Sequence, residues 1–106
     1  MMIMEFMFDK EAVERRGYTM EKVYNHIKER FVEKNLPCIE DGEKLAFRST
    51  GGPNDYGRML GMMRVYSKAE WFMETASLWM FTTNERLGWE DVLAQARDRH
   101  ERRKVA

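Results

Sequence analysis

Glu70 and Glu74 stand four residues apart in a run of aromatic and aliphatic side chains. On a helix that spacing puts two carboxylates one turn apart on one face. Such a pair could bind a metal or share a proton, with affinities for protons raised by apolar surroundings. The helical di-iron pattern, however, needs a histidine three residues after a glutamate, twice over. No Glu-x-x-His occurs here, so the pair reads as the water-facing wedge of a largely buried helix. His26 and His100 lie among charged residues, with no nucleophile or ligand beside them in the chain. Cys38, the one cysteine, serves as a nucleophile only where a base is brought to it; otherwise it is a small apolar residue. Ser49-Thr50-Gly51-Gly52 ahead of a helix offers the N–H groups of an anion site. The closing Gly-Lys-Ser/Thr of a phosphate loop is missing, Pro53 removes a donor, and Asp55 repels phosphate. The loop therefore reads as a strand-to-helix turn. No catalytic residue, cofactor or metal site is expected.

A nucleic-acid pattern is present in outline. A short helix, Gly17, a longer helix and a hairpin follow the order of a helix-turn-helix with a wing. Lys22, His26 and Arg30 would then read the nucleic acid, joined by Arg99, Arg102, Arg103 and Lys104 of the tail. Against this, Arg16 takes a place that is usually apolar, and Glu21, Glu29 and Glu33 interrupt the basic residues. Those acids meet phosphate badly.

The elements that must position these residues follow from period and punctuation. Residues 3–8 read as a short strand or a helix lead-in, with Ile3, Phe6 and Phe8 favouring the strand. Asp9 caps a short helix that stops at Gly17. Thr19 caps the next, whose stripe Met20, Val23, Tyr24, Ile27 and Phe31 ends near Asn35. Asp41-Gly42 between apolar residues marks a β-hairpin over 37–48. Asn54 or Asp55 starts a helix with Met59, Met62, Met63 and Tyr66 on one side and Gly57 and Gly61 on the other. Ser67-Lys68-Ala69-Glu70 spells a capping box. It opens a helix over 68–82 that is apolar around most of its circumference and so central to the fold. A last helix starts at Trp89, carries Val92, Leu93 and Ala96 inward, and becomes a charged helical end over 97–106 that projects or frays. The expected fold is a single α+β domain over 1–106, mostly helical. About five helices are arranged around the central helix, with one hairpin that becomes three-stranded if residues 3–8 join it.

Composition narrows the function classes. Lysine plus arginine, 18, balances aspartate plus glutamate, 18, so no global field draws the chain to nucleic acid or anionic lipid. The N-terminal apolar run is short for a membrane span and lacks the basic flank of a signal peptide. Without a disulfide, the chain is expected in the cytoplasm. Ten methionines and three tryptophans supply more apolar helical surface than a core of this size needs, without matching catalytic groups. That surplus points to a non-enzymatic protein-interaction module, an adaptor or an inhibitor of a larger protein, with self-association using the same surface. Met59, Met62, Met63, Trp71, Phe81 and Trp89 are the candidate partner-binding residues. The alternative is a nucleic-acid-binding transcriptional regulator built on the helix-turn-helix pattern.

Overall fold

The computed structural model describes residues 1–105, with side chains through Arg102. Strand β1 (Ile3–Phe8) leads through helices α1 (Lys10–Arg15) and α2 (Met20–Glu33) to the hairpin β2 (Cys38–Asp41) and β3 (Leu45–Arg48). Helices α3 (Asp55–Lys68) and α4 (Glu70–Thr75) then return the chain to strand β4 (Ala76–Thr82). A 3₁₀ turn (Glu85–Leu87), strand β5 (Glu90–Asp91) and helix α5 (Val92–Val105) complete it. The strands form one five-stranded sheet in the order β2-β3-β1-β4-β5, and every neighbouring pair is antiparallel. The path β1–α–β2 passes over β3, and β3–α–β4 passes over β1. This is the split β-α-β arrangement used twice, extended by β5 and α5. Among the described residues no helix is long and apolar enough to cross a membrane.

The expected central helix over 68–82 and the single hairpin are therefore corrected. Only Glu70–Thr75 is helical; Ala76–Thr82 is a strand. At the turnover Thr75 Oγ1 donates to the Trp71 carbonyl, the Asp9 N–H donates to the Thr75 carbonyl, and Ala76 is extended. The cause is tertiary. β1 lies mid-sheet, and its second edge would leave backbone groups buried and unpaired without β4. In β4, Trp79 and Phe81 point inward while Leu78 and Met80 are half-buried on the other face. Apolar residues on both faces erase the period of two, so the run looks like a buried helix. The capping box fails with it: Ser67 lies inside α3, its hydroxyl donates to the Arg64 carbonyl, and the break falls at Ala69. The last helix starts at Val92, because Glu90 and Asp91 pair with Phe81 and Met80 as an edge strand.

The local signals nearer the N-terminus hold. Asp9 accepts from the Glu11 N–H, and Thr19 from the Lys22 N–H. Gly17 sits at φ 78° and Asn35 at φ 59°, left-handed positions that end α1 and α2.

All five helices pack on one face of the sheet and share one core with it. Met4 stands opposite Phe47 and Phe81, and Phe6 opposite Leu45 and Trp79. Phe6 is the hub, with the rings of Phe31, Phe47, Tyr66, Phe72 and Trp79 all within 6.2 Å. The stripes of α2 and α3 thus converge on strand side chains rather than on a central helix. The other face carries Ile3, Glu5, Met7, Ala46, Arg48, Leu78 and Met80, with Lys44 Nζ 2.8 Å from the Glu5 carboxylate.

Candidate functional site

The residues with reactive chemistry lie apart. Glu70 and Glu74 are on the surface of α4, and Glu74 is paired with Arg16. Cys38 is exposed at the sheet edge, 3.2 Å from the Glu40 carbonyl, and partial burial pushes its thiol up from the ordinary value. An activated nucleophile needs the opposite shift. Among the described residues no three His, Cys, Asp or Glu side chains group as metal ligands. The loop before α3 is occupied by the chain itself. One Asp55 oxygen accepts from the N–H groups of Thr50 (2.6 Å), Gly51 (3.1 Å) and Gly52 (3.2 Å), and from the Thr50 hydroxyl. The Thr50 N–H leads in holding that carboxyl below its ordinary value. Donors that could cradle a phosphate are satisfied internally.

Lys22, His26 and Arg30 lie along α2. Lys22 and His26 line a cavity of about 290 Å³ with Tyr18, Val23 and Trp71. The His26 ring stands edge-on to Trp71 at 5.3 Å. Burial, then the charge of Arg30, pushes its imidazole below the ordinary value. Arg30 itself is 3.4 Å from Glu33. Arg99 and Arg102 lie on α5, where Arg102 pairs with Asp98 at 3.1 Å. The side chains of Arg103 and Lys104 lie outside the described residues. The hairpin beside α2 belongs to the sheet, since β3 is bonded to both β2 and β1.

Of the candidate partner-binding residues, Met59, Met62 and Phe81 are buried in the core. Met63 and Trp71 are partly buried against it. Trp89, just before β5, is 38% exposed. The three methionines line the inward side of α3, because a stripe at helical spacing is what a core recruits.

The outward side of α3 is the surface the sequence reading passed over. Turning at 100° per residue, it presents Tyr56, Leu60 and Val65, which are 52%, 39% and 61% exposed. Gly57 and Gly61 lie between them, and a Cβ at either would meet nothing within 4 Å. They open a groove of about 520 Å³ between α3 and the end of α2, walled by Lys34, Pro53, Arg58 and Val65. Arg58 is fixed there, donating to the Lys34 carbonyl at 3.1 Å. From Tyr56 to Lys68 the helix carries Arg58, Arg64 and Lys68 and no acid. Arg64 and Lys68 form no ion pair among the described residues. The signal was available in the sequence: apolar residues flank Gly57 and Gly61 opposite the methionine stripe.

Comparison with family models, with curated proteins and with solved structures finds no match to this chain.

Proposed function

We propose that this chain is a small non-enzymatic protein-interaction module, an adaptor or inhibitor whose binding surface is the outward side of α3. One observation carries the reading. The inward stripe of α3 fills the core, while Tyr56, Leu60 and Val65 face solvent on a side where a surface helix normally shows polar residues. Large apolar side chains around an open groove are the usual anchors of an interface. The exposed, unpaired thiol of Cys38 suits the reducing cytoplasm.

The test is a pull-down from the native cells with the tagged chain, half of it treated with nuclease, beside the variant Leu60→Asp/Val65→Asp. Both positions are exposed, so the variant is expected to keep its circular dichroism and thermal midpoint. A partner protein that survives nuclease and is lost from the variant is the expected result. Recovery of nucleic acid alone, or of the same proteins by both forms, overturns the proposal.

A further inference from the structure

We infer that the groove on α3 receives an acidic amphipathic helix of the partner protein; this rests on the interaction reading and narrows it to one class of ligand. Three observations converge. The first is shape. Gly57 and Gly61 leave the groove floor without side chains, and helices approach most closely where small residues face each other. From Gly57 to Val65 the groove follows about 12 Å of helix axis, room for two to three turns of a second helix.

The second observation is chemistry. Val65 walls that floor, and Leu60 stands exposed on its other flank along α3. A helix laid there covers them with apolar residues at i, i+3 or i+4, and i+7. The third is charge. Lys34 and Arg58 wall the groove, and Arg64 and Lys68 follow Gly57 at i+7 and i+11, on the same side of α3 as Gly61. Of the nearby acids, Asp55 is buried, with one oxygen on the loop N–H groups and the other 3.9 Å from Arg58; Glu33 meets Arg30, and Glu70 lies beyond the break at Ala69. A complementary partner brings carboxylates on the flanks of its apolar stripe, which steer it and set its register.

The same charges argue against the other occupants. In a two-fold contact between copies, α3 against α3, Arg64 of each copy faces the basic residues of the other with no acid to answer. Nucleic acid gains phosphate contacts from four cations but leaves Leu60 and Val65 uncovered, and the whole chain has no basic excess.

The experiment uses the full chain and three fluorescein-labelled helical peptides of about 14 residues, read by fluorescence anisotropy. One carries a leucine stripe flanked by glutamates, the second replaces the glutamates with lysines, and the third replaces the leucines with serines. The acidic leucine peptide is expected to bind more than about tenfold tighter than either other, and less tightly as salt rises. Arg64→Glu/Lys68→Glu is expected to reverse the preference between the first two peptides. Gly61→Leu, which fills the floor at a position with open space for a side chain, is expected to abolish binding while the helix content is kept. No saturable binding of the acidic peptide, indifference to charge reversal, or tighter binding of a duplex DNA oligonucleotide overturns the inference. A partner captured in the pull-down and lost with Leu60→Asp/Val65→Asp, together with failure of the acidic peptide, leaves the interaction module standing and removes only the acidic helix. Failure of both removes both.

Discussion

Asp55 shows how a single side chain closes a site that its neighbours suggest. Its carboxylate takes the N–H groups of Thr50, Gly51 and Gly52, and these hold its proton affinity down. The unfolded chain therefore takes up that proton first. The contribution to stability is present above the ordinary carboxylate value of about 3.9 and is lost as pH falls through the lower folded value. Asp55→Asn is expected to be less stable at neutral pH and to lose this acid-dependent component, as urea midpoints from neutral pH to strong acid would show. His26 runs by the same logic with the opposite charge. Its folded value is lowered by burial against Trp71 and by Arg30, so the unfolded chain protonates first on acidification. Stability is level above about 6.5 and declines below it until the folded value is reached. His26→Gln is expected to flatten that step; an unchanged pH profile would show that the imidazole is as free as in the unfolded chain.

Among the elements, residues 70–82 divide between a helix and a strand, and substitution can read the division. Trp79 and Phe81 face the core, whereas Leu78 and Met80 face the opposite side of the sheet. Trp79→Ala is expected to cost about 3–5 kcal/mol, while threonine, a good strand residue, at Leu78 or Met80 costs about 1 kcal/mol or less. Denaturant titration of these three variants, with Phe81→Ala as the fourth, should thus alternate with a period of two. Losses grouped every three to four residues would return this segment to a helix. α3 is the contrasting element: its inward stripe was readable from spacing, but whether its other side meets a neighbour depends on where α2 and α5 lie.

For the molecule as a whole, stability depends on the aromatic cluster at the centre of the sheet. Phe6 touches rings from α2, β3, α3, α4 and β4, so its removal loosens every layer together. Phe6→Ala is expected to cost about 3–5 kcal/mol, a large part of the stability of a domain this size. Calorimetry would show a lower midpoint for one cooperative transition. A split into two transitions would mean that the layers around Phe6 fold independently.

By itself the sequence determined the local punctuation and the inward stripes: the caps at Asp9 and Thr19, the turn at Gly17, the hairpin at Asp41-Gly42, and the core residues Val23, Ile27, Phe31 and Tyr66. These depend on backbone geometry and on spacing within a few residues. Tertiary structure alone decided that 76–82 is a strand, that β1 lies mid-sheet, and that Asp55 fills its own loop. Tertiary structure likewise set Met59, Met62 and Phe81 inside while leaving Tyr56, Leu60 and Val65 outside. An apolar residue signals that it should be covered, but which neighbour covers it, or whether none does, is settled only when distant segments meet.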